Sequence, residues 1–298
     1  MAKRKPFKMV NIEITNVCNL QCSFCPEVVR PSLRMTPERF ESALVAVLPK
    51  TERVTLHLMG EPLSHPEFSQ IMEVCDRHQA PLQITTNGVA IKKQAELLLS
   101  SSSLLQINFS LQSYFDNFPQ RDFLLYLNPI LDFIEQALIE KPQLFINLRL
   151  WDLGAPSSQA LHEKVMTALR ERWTLPSDEL TLQANKKSVR LVGRLYVHYD
   201  VRFDWPDINA LVKKQVGTCH GARKQFGVHS DGTVVPCCFD KEAKIALGNI
   251  FEQDLQSILE APRAQRLRQG FVENKLIEPL CQGCSYIDRF TLSPKLNR

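Results

Sequence analysis

The chain lacks any apolar run approaching the roughly 18–20 residues that a membrane-crossing helix needs, so an integral helical membrane protein is excluded. Its first ten residues, MAKRKPFKMV, are basic but hold no apolar stretch of signal-peptide length. Nothing there points to export, and the expected compartment is the cytoplasm. Excess charge is also scarce: 36 Lys and Arg against 32 Asp and Glu leave a formal charge of +4. That is too little to argue for a nucleic-acid partner by itself. Two local basic clusters stand out, Lys3, Arg4, Lys5 and Lys8 at the start and Arg263, Arg266 and Arg268 late in the chain. They read either as a loose arm and a solvated helix face or as contacts for RNA. No internal repeat and no low-complexity segment is present. What is present is ordinary globular composition, 298 residues with 44% hydrophobic and 23% charged. This suits one large domain, or a medium one with an appendage.

Cysteine is the exception to scarcity. Nine are present, more than packing in a reducing compartment requires, which points to metal or catalysis rather than disulfides. Cys18, Cys22 and Cys25 lie near the start, Cys75 stands alone, and Cys219, Cys237, Cys238, Cys281 and Cys284 fill the last quarter. Two groups so far apart suggest two metal sites in two domains.

Short apolar runs at residues 10–14, 53–59, 82–86, 104–111, 144–151 and 189–197 read as strands. Helical periods lie between them. Phe40, Ala43, Leu44, Val47 and Leu48 form one apolar face, with Thr36 as N-cap and Pro37 as first helical residue. Asn128 and Pro129 repeat the device before Ile130, Phe133, Ile134, Ala137 and Leu138. The segment from Pro156 to Ser188 is helical in pattern and then irregular. Strands alternating with helices imply βαβ units on a parallel sheet. Six units are too few for an eight-stranded barrel, and the expected fold is α/β, a partial (β/α)6 TIM-like barrel with a small C-terminal domain. Chemistry in such folds sits at the C-terminal ends of the strands. The expected division is a basic arm over 1–8, a core over 9–210 and a cysteine-bearing domain over 211–298, with a soft boundary near 205–215.

The first cysteines occur as TNVCNLQCSFCPE, spaced C-x3-C-x2-C in the loop after the first strand. Three thiolates on an iron–sulfur cubane leave one iron open, whereas a zinc site normally needs four protein ligands. In spacing and position this segment resembles the radical S-adenosylmethionine (SAM) superfamily. The resemblance implies a [4Fe-4S] cluster on Cys18, Cys22 and Cys25 whose open iron takes the amino and carboxylate groups of SAM. It also implies reductive cleavage of SAM to a 5′-deoxyadenosyl radical. Met59-Gly60-Glu61-Pro62 resembles the family's Gly-Gly-Glu-Pro motif, with Met in place of the first Gly. Gly60 and Glu61 would then hold the methionyl ammonium. Ser110 and Gln112 stand where the family places ribose-binding side chains, and Phe24 where its backbone meets the adenine. Thr85-Thr86-Asn87-Gly88 resembles a family segment near cofactor and substrate, and is equally an ordinary Asn-Gly turn.

The tail reads Cys219, twelve residues, Gly232, four residues, Cys237, a long gap, and Cys281-x2-Cys284. This resembles the first half of the SPASM auxiliary-cluster domain, in the shortened form called twitch. The resemblance implies an auxiliary [4Fe-4S] cluster on Cys219, Cys237, Cys281 and Cys284. A structural zinc on the same four thiolates is open on spacing alone. Cys238 is surplus to that set, and Cys75 reads as a buried small hydrophobe.

The family fixes the initiating chemistry and leaves the substrate open. The favoured expectation is oxidation or rearrangement of a small polar metabolite, with a flavodoxin- or ferredoxin-like protein as external electron donor. Peptide or protein modification and RNA modification are the alternatives, and no membrane partner is expected. Substrate contacts should come from strand ends. Arg149 and His57 are the candidate catalytic or substrate residues, with Trp151 as a stacking surface. The plainer alternative pairs Arg149 with a core acid such as Glu13 and makes Trp151 wall packing.

Overall fold

The computed structural model describes residues 5–153, 158–173, 187–202, 204–211 and 213–291. Lys3 and Arg4 of the basic arm, residues 174–186 and residues 292–298 lie outside the described residues. In chain order the first strands and helices are β1 (Met9–Ile12), α1 (Pro37–Val47), β2 (Val54–Thr55), α2 (Phe68–Arg77), β3 (Leu82–Thr86), α3 (Ile91–Ser100) and β4 (Leu104–Ser110). They are followed by α4 (Leu111–Asn117), α5 (Phe123–Glu140), β5 (Phe145–Leu153), α6 (Ser158–Arg172), β6 (Ser188–Arg190) and β7 (Leu195–Val201). The tail adds β8 (Gln225–Val228), β9 (Thr233–Val235), β10 (Gly248–Asn249), α7 (Leu255–Glu260), α8 (Pro262–Val272), α9 (Pro279–Gln282) and α10 (Asp288–Thr291).

These elements form two compact units, each discontinuous in sequence. The described parts of Met1–Val17, Pro26–Gly60 and Phe203–Arg298 make one, and Cys18–Cys25 with Glu61–Arg202 the other. The described part of the tail thus groups with the first strands. β8 pairs in parallel with β1, from Met9 beside Gln225 to Ile12 beside Val228, and β1 pairs in parallel with β2. β9 returns antiparallel on β8, and β10 antiparallel on β9. Gly232 makes the hairpin possible. Its φ is +95° and a Cβ there would lie 2.2 Å from the Phe251 ring, so glycine is the residue that fits.

In the second unit β3, β4, β5 and β7 run parallel in that order. One sheet face carries Ile84, Ile107, Phe109, Ile146 and Leu148, all buried, with Phe109 edge-on to Phe133 of α5 at 5.9 Å. The other face is polar. Thr85, Asn108 and Asn147 are register partners across three strands, and Asn147 Nδ2 donates to Asn108 Oδ1 at 2.8 Å. Asn108 Nδ2 donates in turn to Thr85 Oγ1 at 3.1 Å. A sheet with greasy backs under helices and a polar front is built to enclose something other than core.

The helix signals hold in part. α1 begins as expected, Thr36 Oγ1 accepting the Arg39 N–H at 3.4 Å and Pro37 opening the first turn. α5 instead starts earlier than Asn128, capped by Asp122, whose Oδ1 accepts the Leu124 N–H at 2.9 Å. Pro129 therefore sits inside the helix. The carbonyl it leaves without a donor belongs to Leu125, an exposed residue where water can replace the missing N–H. The run 53–59 yields a strand of only two residues, and beyond it the Met59 N–H is taken by the Glu13 carboxylate at 3.2 Å. The run 189–197 splits into antiparallel β6 and β7 around Gly193, whose φ is +52°. The sixth parallel strand is β7, and α6 supplies the helical part of Pro156–Ser188.

Candidate cofactor sites

Cys18, Cys22 and Cys25 lie on one loop of the second unit, with Cys22 half-buried against α4. Cys22 and Cys25 are within hydrogen-bond reach of one another. That contact lowers the Cys22 thiol below its ordinary value and raises Cys25, while burial raises Cys18. Two further residues meet the sulfurs. Asn87 Nδ2 lies 3.9 Å from Cys18 Sγ, and Asn117 Nδ2 lies 3.3 Å from Cys22 Sγ. Asn87 also donates to Asn19 Oδ1 at 2.7 Å, and Asn117 Oδ1 accepts the Gln21 N–H at 2.8 Å. The loop is held from both sides by amides that suit thiolate sulfur.

Glu61 lies directly behind this loop and is 2% exposed. Its Oε1 accepts from Thr86 Oγ1 at 2.7 Å and the Leu63 N–H at 3.0 Å, and its Oε2 accepts the Asn87 N–H at 2.7 Å. Burial nonetheless pushes its carboxyl up to about 7, these donors only partly opposing it. A carboxylate oxygen has two acceptor sites, so Oε2 keeps capacity for one more donor. Tyr126 fixes the turn by donating to the Asn87 carbonyl at 2.7 Å, and Gly88 takes φ +78° where a Cβ would strike Ile130. In the first unit Gly60 has φ +76°, and a Cβ there would lie 2.3 Å from the Thr15 carbonyl oxygen. Only glycine lets the backbone pass.

Ser110 closes β4 half-buried, and Gln112 opens α4 with its Oε1 buried and without a hydrogen-bond partner. A buried orphan acceptor costs roughly 1–3 kcal/mol, which a ligand hydroxyl would recover. Phe24 lies under the Arg202 guanidinium, 5.2 Å from ring centroid to carbon. Three thiols, a carboxylate with spare acceptor capacity and an unmatched amide oxygen in one unit fit a cluster chelated by a ligand rich in amine and hydroxyl groups.

The second group of thiols lies in the first unit. Cys219, Cys237, Cys281 and Cys284 are all raised by burial, and repulsion among them adds to it. Cys238, pushed up to about 12 mainly by burial, also feels Cys219 and Cys284, so five thiols share this region. Among the described residues no three metal-ligating side chains converge as ligands of a lone ion would. Cys75 is fully buried on α2, the small core residue expected.

At the strand ends, Arg149 Nη1 lies 3.4 Å from Thr85 Oγ1 and its guanidinium stacks on Trp151 at 4.4 Å. Trp151 Nε1 donates to His198 Nδ1 at 3.3 Å. Arg149, Trp151 and His198 thus form one group. His57 belongs to the other unit, half-buried just past β2. Glu13, the acid considered as a partner for Arg149, is fully buried against Arg30 at 3.0 Å and also accepts from Ser230. Asn117, Tyr126 and Arg202 were not anticipated from the sequence. Asn117 lies 95 positions from its thiol, and no local pattern marks it.

Two family models match this chain, the radical SAM superfamily over residues 12–137 and an iron–sulfur cluster-binding domain, SPASM, over residues 219–285. The chain carries a radical SAM domain followed by a SPASM iron–sulfur domain. The first match spans Cys18, Cys22, Cys25, Glu61 and Gln112, and the second spans the four late cysteines and Cys238. The radical SAM domain takes a [4Fe-4S] cluster and SAM, and the SPASM domain takes auxiliary iron–sulfur clusters. Among curated proteins, a GTP 3′,8-cyclase of Chlorobaculum tepidum is 29% identical over 147 residues, 47% of this chain and 43% of the cyclase. The subtilosin biosynthesis protein AlbA of Bacillus subtilis is 22% identical over 280 residues, 87% of this chain and 60% of AlbA. This chain therefore matches less than two thirds of either relative's length. Among solved structures, BtrN in complex with AdoMet and 2-DOIA superposes with a TM-score of 0.56 at 17% identity, covering 96% of this chain and 94% of BtrN. That likeness is one of fold, and the fold is the expected α/β partial barrel with a C-terminal iron–sulfur domain. No helix among the described residues is long and apolar enough to cross a membrane.

Proposed function

We propose that this chain is a radical SAM enzyme that cleaves SAM reductively and uses the 5′-deoxyadenosyl radical to abstract hydrogen from a small polar metabolite, which is then oxidised or rearranged. One observation carries the reading. Asn87 touches Cys18 and Asn19 through its side chain and Glu61 through its backbone N–H, tying the thiol loop to the buried acid. Cys18, Cys22 and Cys25 would hold the cluster, which when bound supplies the electron that cleaves SAM. Glu61 Oε2 would accept from the methionyl amino group, Gln112 Oε1 and Ser110 from the ribose hydroxyls, and the Phe24 backbone from the adenine. Gly60, without a Cβ, lets its own segment pass Thr15 at that turn. Cys219, Cys237, Cys281 and Cys284 would hold an auxiliary [4Fe-4S] cluster. The first electron would come from a flavodoxin- or ferredoxin-like donor.

The polar sheet face supports a small substrate bearing hydroxyls or amines. Thr85, Asn108 and Asn147 offer neutral donors and acceptors, and Arg149 beside Trp151 and His198 could take a carboxylate or phosphate. BtrN, similar over nearly its whole length, was crystallised with AdoMet and 2-DOIA. A second reading, modification of a peptide, is supported by AlbA, a bacteriocin biosynthesis protein matched over 87% of this chain. RNA has less behind it, since Arg263 is held by Glu278 at 2.8 Å and by two carbonyls, and Lys8 by Glu52. Metabolite profiling of an anaerobically grown deletion strain tests the choice. Accumulation of a polar metabolite that then stimulates deoxyadenosine formation by the purified enzyme supports the first reading. An unmodified peptide accumulating in its place overturns it.

A further inference from the structure

α4 touches both ends of the candidate SAM site, and its last turn does something the family resemblance did not suggest. Its first turn carries Gln112. Its final residue, Asn117, makes three contacts at once: Nδ2 donates to the Ser113 carbonyl at 2.8 Å and lies 3.3 Å from Cys22 Sγ, while Oδ1 accepts the Gln21 N–H at 2.8 Å. These contacts settle the orientation of the amide. Turned over, its oxygen would face the Ser113 carbonyl and its NH2 would face the Gln21 N–H, losing both bonds. Asn117 therefore offers Cys22 an N–H, and the Ser113 carbonyl oxygen lies farther from the same sulfur, at 3.8 Å. The preceding residue, Asp116, accepts from Ser23 Oγ at 2.7 Å and from the Ser23 N–H, and pairs with Arg202 at 3.3 Å. Arg202 Nη1 also reaches Ser23 Oγ at 3.2 Å. The loop from Gln21 to Ser23 is thus bolted to the C-terminal turn of α4 on both sides of Cys22.

We infer that Asn117 is a positioning residue that sets the reduction potential of the SAM-binding cluster through its N–H to Cys22, with Asp116 and Arg202 keeping the loop in register. The inference rests on Cys22 being a cluster ligand. Hydrogen bonds to cluster sulfur are one of the protein's levers on potential. Reduction adds negative charge shared with the thiolates, so a donor at Cys22 stabilises the reduced state more than the oxidised one. Removing it lowers the potential and makes reduction of the cluster harder.

The test is a redox titration of the anaerobically reconstituted full chain, read by the electron paramagnetic resonance signal that SAM perturbs. Asn117→Leu removes the donor at similar size, and Asn117→Asp replaces it with an acceptor that repels the thiolate. A tenfold change in a one-electron equilibrium corresponds to about 59 mV. The expected change is about tenfold or more in the one-electron reduction equilibrium, a potential lower by about 59 mV or more. Iron content and the SAM-perturbed signal should persist in both variants, with Asp lowered at least as far as Leu. An unchanged potential in both variants overturns the inference. So does loss of the cluster from both, which makes Asn117 a scaffold residue only. The underlying reading fails separately: if Cys22→Ala keeps the SAM-perturbed signal, Cys22 is not a ligand.

Discussion

Replacing Glu61 by Gln separates two jobs that one carboxylate performs. In the wild type both oxygens accept, from Thr86 and Leu63 on one side and Asn87 on the other. Glutamine has one acceptor and one NH2. Whichever way it turns, a buried backbone N–H, of Asn87 or of Leu63, meets a donor. An unsatisfied buried group costs about 1–3 kcal/mol, and that is the expected loss of stability near neutral pH before any gain from removing a charge. The gain depends on pH. Burial raises the Glu61 carboxyl from its ordinary 4.5 to about 7. Between those values the folded protein holds a proton that the unfolded chain has released, so stability falls as pH rises through that window. For this shift the fall from pH 5 to pH 7 is about 2 kcal/mol, and the glutamine variant, which cannot titrate, lacks it. Denaturant unfolding of both proteins at pH 5, 6 and 7 reads the difference, the wild-type advantage shrinking by about 2 kcal/mol across the series. SAM affinity adds a second readout. Losing one hydrogen bond to a charged group should cost roughly 1.5–3 kcal/mol, a tenfold or greater rise in Kd. A parallel pH dependence in the two proteins would refute the burial argument, and an unchanged Kd would show that Glu61 only braces the turn.

The triple change of Cys18, Cys22 and Cys25 to Ala should leave about four irons per chain with spectra indifferent to SAM, against about eight in the wild type. Four irons in the wild type accompanied by stoichiometric zinc would reassign the tail as structural. Gly60→Ala places a methyl 2.3 Å from the Thr15 carbonyl at φ +76°, so it should destabilise by more than the roughly 1–2 kcal/mol of a left-handed non-glycine residue. A thermal midpoint equal to that of the wild type would contradict this.

The cluster ligands were legible because metal chemistry demands particular atoms at particular spacings, and Cys18-x3-Cys22-x2-Cys25 shows both. β3 and α1 were legible for local reasons, an alternating run and the Thr36–Pro37 start. What the sequence hid is long-range. β8 pairs with β1 more than 200 positions away, which merges the tail with the first strands, and no periodicity in either segment announces that partner. The early start of α5 was hidden because Asn128–Pro129 is a good helix opening, yet Asp122 caps sooner and an exposed Leu125 tolerates the internal proline. Asn117 and Asp116 were hidden for a third reason. On a short helix they look like any polar C-terminal turn, and only the fold brings them to Cys22 and Ser23.

Radical initiation is the central claim, and formation of 5′-deoxyadenosine tests it most directly. Anaerobically reconstituted protein, given dithionite and SAM, is expected to release 5′-deoxyadenosine and methionine over time, quantified by mass spectrometry. The variant lacking Cys18, Cys22 and Cys25 is expected to release none above the protein-free background. Equal release by wild type and triple variant, or none from a wild type carrying its full iron, would contradict the account.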